Sequence, residues 1–150
     1  MLRIYLDNCC YNRPYDDQSQ LRISLESQAK LHVQDMIREN KLQLVSSYIL
    51  VYENSRNPYE IKRKTIGQFL EDNTSVYVDE SFAKEVGDLA AEIMKTGIKS
   101  ADAHHTASAI IAECDYLLTT DTRLLKYKTN QIQITDPIEF IRQTGGIENE

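Results

Sequence analysis

The sequence predicts an α/β fold, with a parallel sheet of order 3-2-1-4-5 and helices on both faces. Three observations lead there. Short apolar runs suited to buried strands recur along the 150 residues. Stretches with helical spacing separate them, and that alternation builds a parallel sheet through right-handed crossovers. Two of the runs, "LRIYLD" and "YLLTTD", end on an acid. In a doubly wound sheet, strand C-termini meet in a ligand crevice where the winding reverses. If runs one to three wind one way and four and five the other, runs one and four are neighbours. Asp7 and Asp121 then end adjacent strands, ~5 Å apart in the sheet direction.

Each element has its own signal. "LRIYL" at 2–6 is the first strand. "YNRPYDDQ" reads as a loop from its Asn, Pro and Asp content. From Ser19 to about Glu39, Leu21, Leu25, Ala29, Val33, Met36 and Ile37 keep helical spacing. "KLQLVSS" is the second strand, and "YILVYENSR" a short helix stopped before Asn57-Pro58. Residues 59–71 form a helix with Ile61, Ile66, Phe69 and Leu70 inward. "SVYVD" is strand three. Phe82, Val86, Leu89, Ala90 and Ile93 mark a helix ending near Gly97, and an Ala-rich helix runs from about Ser100 to Glu113, with Cys114 in its helical pattern as a small buried hydrophobe. "YLLTT" is strand four, "TRLLKY" a helical turn, and "IQITD" strand five. Pro137 opens a last short helix with its fixed φ. One domain is expected over 1–150, with a frayed tail at about 144–150.

Composition narrows the function. Hydrophobic residues at 41% and charged residues at 27% are globular proportions. No apolar run approaches the ~20 residues of a membrane span. The N-terminus has neither the apolar region nor the small-residue cleavage site of a signal peptide, so the expected location is the cytoplasm. Cys9, Cys10 and Cys114 lack zinc spacing, and a bridge between neighbours is strained, so free thiols are expected. The net charge of −6 excludes a duplex-coating protein, whose affinity comes from phosphate neutralisation. An acidic chain can still act on nucleic acid if its acids hold cations.

Four acids fit that description. Asp7 and Asp121 each read as an ordinary cap or turn residue when taken alone. Asp102 lies in the first turn of the Ala-rich helix, where the macrodipole favours a carboxylate and keeps it ready for a cation. Glu53 borders an apolar stretch, where it needs a partner. Four carboxylates on one crevice repel unless a cation or raised pKa values relieve them. Oxygen donors select Mg²⁺ or Mn²⁺.

In four segments the sequence resembles a PIN-domain ribonuclease of the VapC toxin type: "YLDNCC", "YENSRNP", "KSADAHHTASAI" and "DYLLTTDTRLLK". The third carries the family's DA-x-H-x-A-x-A pattern from Asp102 to Ala109, and the fourth its T-x-D strand end at Thr119–Asp121. The resemblance covers nearly the whole chain. It implies that Asp7, Glu53, Asp102 and Asp121 are the catalytic, metal-binding acids, holding Mg²⁺ or Mn²⁺ for hydrolysis of RNA phosphodiester bonds. It implies that Thr119 hydrogen-bonds within the site, and that Asn8 supports it where many members have Thr or Ser. It also implies a homodimer and, for a toxin, a small antitoxin partner. Water would attack phosphorus in line, leaving a 5′-phosphate and a 3′-hydroxyl. Arg13, Arg56, Lys99 and Arg123 lie near the acidic segments and are candidates to hold the RNA backbone. Tyr11 and Tyr15 are candidates to stack on bases. His104 and His105 are expected to pack or hydrogen-bond, with no catalytic part.

Two other readings compete. A catalytically inactive PIN-like binding or assembly module is disfavoured by acids at all four positions. A phosphate-accepting receiver-like domain needs an acidic pair after strand one and an acceptor Asp after a central strand. "YLDN" offers one acid, and "SVYVDE" is not followed by an acceptor site.

Overall fold

The structure is a computed structural model in which residues 1–145 are described. Runs rich in Leu, Val, Ile and Tyr form β1 Leu2–Leu6, β2 Leu42–Ser47, β3 Thr74–Val78, β4 Tyr116–Leu118 and β5 Gln133–Thr135. All pair in parallel, in the order β3-β2-β1-β4-β5. This is the doubly wound arrangement, in the strand order expected from sequence. Between the strands lie α1 Asn8–Asn12, α2 Leu21–Arg38, α3 Tyr48–Ser55, α4 Glu60–Asn73, α5 Ala83–Met94, α6 Ser100–Ile111, α7 Thr122–Leu125 and α8 Pro137–Thr144.

Strand alternation divides the core in two. Ile4 and Leu6 pair with Tyr116 and Leu118 and face α2, α4 and α8, burying Val33, Met36, Phe69, Leu70 and Phe140. Tyr5 pairs with Val45 and Leu117 on the other face, against Val86, Ala90 and Ile93 of α5 and Ala103 and Ala107 of α6. Each large apolar side chain buried this way contributes about 1.5–3 kcal/mol before the cost of ordering it. The alanines of α6 let that helix lie close to α5 and to the sheet.

Helix ends set the strand positions. α2 and α6 both close with a left-handed residue, Asn40 at φ 60° and Glu113 at φ 58°. In each case the next N–H reaches back to a carbonyl five residues earlier: Lys41 to Met36 at 2.9 Å and Cys114 to Ala109 at 3.0 Å. This reversal leads directly into β2 and β4.

Several expectations are corrected. The "YNRPYDDQ" loop is largely ordered: α1 takes Asn8–Asn12, and a 3₁₀ turn takes Arg13–Tyr15. Capping by Asp7 and burial of Cys10 and Tyr11 drive this helix, which is too short to show periodicity. β4 stops at Leu118; beyond it the Thr119 hydroxyl donates across to Asp7, and the Asp121 carboxylate accepts from the Arg123 N–H. Cys114 follows α6 rather than lying in it. Ile61 is 80% exposed and Leu21 74% exposed, since the first turns of α4 and α2 run ahead of the stretches that reach the sheet. Phe82 belongs to a 3₁₀ turn and is exposed. Of the expected frayed tail at about 144–150, Thr144 belongs to α8 and 146–150 lie outside the described residues.

Candidate active site

β1 and β4 are neighbours at the reversal of winding, so the segments that follow them meet. The Asp7 N–H donates to the Leu118 carbonyl at 3.1 Å, which carries the pairing one residue past β1. A cleft of about 180 Å³ opens there, lined by Asp7, Asn8, Cys9, Glu53, Lys99, Ala101, Asp102, His105 and Asp121. All four acids singled out in the sequence line it. They come from four places: the ends of β1 and β4, the body of α3 and the first turn of α6.

Asp7 is 3% exposed. As the N-cap of α1, its Oδ1 accepts from the Cys10 N–H at 3.3 Å and from the Cys9 thiol at 2.6 Å. Its Oδ2 accepts from the Thr119 hydroxyl at 2.6 Å. Burial pushes this carboxyl well above its ordinary range; Cys9 adds to the push, and the Thr119 hydrogen bond opposes it. Hydrogen bonding to Cys10, then to Asp7, Thr119 and Thr120, outweighs burial and holds the Cys9 thiol at about 5.

Asp121 is the N-cap of α7. Its Oδ1 accepts from the Arg123 N–H at 2.8 Å and the Leu124 N–H at 3.4 Å. Burial works against ionisation here, but the Arg123 and Leu124 amides and Lys99 together draw the carboxyl below its usual range. Asp102 moves the other way, up to about 6, chiefly through burial; Lys99 pulls it down, while Asp121 and Asp7 push it up. The Lys99 ammonium is 3.3 Å from Asp121 Oδ2 and 3.8 Å from Asp102 Oδ2. A cation therefore already bridges two of the four acids.

Glu53 reaches the cleft from α3 and accepts a hydrogen bond from His105 Nε2. Thr119 is fully buried behind Asp7; its oxygen also accepts from the Asp121 N–H at 3.1 Å, so one hydroxyl ties both strand-end acids together. Asn8 lines the rim and bonds to Asn12 at 3.1 Å.

The basic residues divide. Lys99 is in the cleft. Arg13 is not: it pairs with buried Glu26 at 3.3 Å and with Asp16 at 3.1 Å. Arg56 lies over the Tyr52 ring, 5.8 Å from its centroid. Arg123 contributes its backbone N–H to Asp121. Tyr11 is buried in the core, while Tyr15 is exposed. Cys9 was not singled out in the sequence as a site residue. Its signal is position, two residues beyond a strand-end Asp that caps a helix.

The donor set fits a hard divalent cation. Four carboxylates line the cleft: burial and Cys9 raise Asp7, burial and its acid neighbours raise Asp102, and the Lys99 ammonium already neutralises part of the charge. No protein-family model matches the sequence, and no curated protein does. Among solved structures the chain is similar to one in the crystal structure of FitAcB from Neisseria gonorrhoeae. That match has a TM-score of 0.55 and 18% identity, and it covers 90% of this chain and 98% of the other. At that identity the likeness is one of architecture: the same doubly wound sheet, which brings the ends of β1 and β4 to one edge.

Proposed function

We propose that the protein is a Mg²⁺- or Mn²⁺-dependent endoribonuclease of the PIN type, acting as the toxin of a toxin–antitoxin pair. The observation that carries this reading is the convergence of Asp7, Glu53, Asp102 and Asp121 on one cleft at the reversal of the sheet. The four-segment resemblance adds the substrate class. It also adds a homodimer and a small antitoxin partner; the expected cytoplasmic location and single domain over 1–150 come from the N-terminal segment and the chain length. No helix of the described residues is long and apolar enough to cross a membrane.

Asp7, Glu53, Asp102 and Asp121 would hold the ion. When bound, it supplies an acidified water and charge neutralisation at the phosphoryl oxygens. The chain's own part is positional. Thr119 and the Cys10 amide aim Asp7, and the α7 amides aim Asp121. Lys99, at the rim, is placed to meet a phosphate oxygen once the ion has taken over its acids. An acidic protein with one local cationic contact needs no long basic track, in keeping with the net charge of −6.

The direct test is cleavage of a short single-stranded RNA. The protein cuts it with Mg²⁺ or Mn²⁺ and stops in EDTA; cutting undiminished by excess chelator refutes the reading. A second expectation concerns Lys99. Lys99→Met removes a positive charge from between Asp102 and Asp121, so Mn²⁺ affinity at pH 8 rises about three- to tenfold, or about 0.6–1.4 kcal/mol. Calorimetric titration measures it. An unchanged or weaker affinity shows that Lys99 does not occupy the place of a cation.

A further inference from the structure

We propose that His105 is a positioning residue: a hydrogen-bond chain fixes it as the Nε2–H tautomer, and in that form it aims Glu53 into the acidic cleft. The inference rests on the metal-site reading above and extends it to a residue given no catalytic part by the sequence resemblance.

The chain begins and ends on α3. Ser47 is the N-cap of α3, and its Oγ accepts from the Leu50 N–H at 3.1 Å. Ser47 Oγ is 2.7 Å from the Tyr5 hydroxyl, and that hydroxyl is 2.6 Å from His105 Nδ1. His105 Nε2 then meets Glu53, one turn further along α3 than Leu50. Tyr5 and Ser47 have no exposed surface, and His105 is 2% exposed.

Donor and acceptor matching fixes its direction. An amide N–H can only donate, so Ser47 Oγ accepts there. The Ser47 hydroxyl proton has one remaining neighbour, the Tyr5 oxygen. The Tyr5 proton therefore points to His105 Nδ1, which must be bare. The ring proton is left on Nε2, facing the Glu53 carboxylate. The reverse direction strands the Ser47 proton in the core, at a cost of about 1–3 kcal/mol. With a neutral ring it also turns the bare Nε2 lone pair onto the Glu53 carboxylate, where neither group can donate. Histidines that orient a carboxylate ligand work from behind the ligand in this way, and removing such a group typically costs 10- to 100-fold in metal affinity. The chain also explains a sequence feature: the His of the DA-x-H pattern falls one turn after Asp102, so α6 delivers an acid to the cleft and, behind it, the donor for an acid on another helix.

Two measurements on the full chain test this. Nitrogen NMR of the metal-free, histidine-labelled protein, assigned by comparison with His105→Gln, is expected to show His105 bare at Nδ1 and protonated at Nε2. A ring protonated at Nδ1, alone or as well, overturns the relay. Calorimetric titration with Mn²⁺ is expected to show at least tenfold weaker binding in His105→Ala. His105→Gln, whose amide can donate to Glu53 and accept from Tyr5, is expected within about threefold of the parent. In a Glu53→Gln background, adding His105→Ala is expected to cost nothing further, because the two act as one unit. Parent-like affinity in His105→Ala, or losses that add in the double variant, overturns the positioning role in favour of a packing residue. If the parent itself binds no Mn²⁺, the metal site and the positioning role fall together, while the NMR result still decides whether the relay exists.

Discussion

Asp102→Asn protein is expected to cleave RNA at least about 10³-fold more slowly than the parent, yet to melt higher in EDTA at pH 7.5. The first effect follows from the proposed function, in which Asp102 supplies a metal-binding oxygen that supports several kcal/mol of transition-state charge stabilisation. The second follows from the electrostatics of the empty cluster. Burial in α6, with Asp121 and Asp7 nearby, raises the Asp102 carboxyl from 3.8 to about 6. For an acid raised in the folded state, the native protein binds more protons than the unfolded chain between those two values. Stability therefore falls as pH climbs from about 4 to about 6, and the full penalty is present above that. A shift of this size corresponds to about 1–3 kcal/mol. Asparagine keeps the shape without the charge. Melting temperatures should agree at pH 4 and separate by about 3–8 °C at pH 7.5. Saturating Mg²⁺ should narrow or reverse the gap, because only the parent gains full binding energy from the ion. Thermal melts across that pH series decide the matter: a variant that melts lower than the parent at every pH makes Asp102 a helix-start residue and nothing more.

How far the sequence exposed this site depends on the range of the interactions. Asp7 and Asp121 were legible because strand alternation and the doubly wound order are properties of whole segments, and both acids follow directly from them. Asp102 was legible from its place in the first turn of α6. The partners of these acids were less so. Thr119 was flagged only through resemblance. The path from Ser47 through Tyr5 to His105 joins residues 42 and 100 positions apart, which no local pattern encodes. Arg13 shows the converse failure. It lies near Asp7 in sequence, but Glu26, buried at 1% exposure one turn into α2, draws it away from the cleft. Ile61 and Leu21 carry helical spacing but sit in first turns that overhang the sheet, and periodicity cannot tell where along a helix the sheet begins.

Thr119→Val is expected to lower both activity and stability, with Thr119→Ser restoring most of each. Valine keeps nearly the same volume in a fully buried place, so packing is not what changes. Two polar contacts are lost together. Asp7 Oδ2 loses its donor at 2.6 Å, and the Asp121 N–H loses its acceptor at 3.1 Å. Leaving such groups unpaired costs about 1–3 kcal/mol, or roughly 2–8 °C in melting temperature. The activity loss has a separate cause. Thr119 is one of the groups that oppose the upward push of burial on Asp7. Without it, Asp7 rises further and holds its proton to higher pH, so fewer molecules present the carboxylate that a cation needs. Loosened aim at both strand-end acids adds to this, and second-layer losses of this kind typically reach 10- to 100-fold. The pH dependence separates the two causes. An Asp7 carboxyl moved upward makes the deficit largest at low pH and smaller as pH rises, with the acid limb of the activity profile displaced to higher pH. Serine keeps the hydroxyl and should return that limb to the parent position while remaining slightly less stable through its missing methyl. A valine variant whose profile merely scales down, with no displacement, would mean that Thr119 braces the strand ends without setting the charge of Asp7.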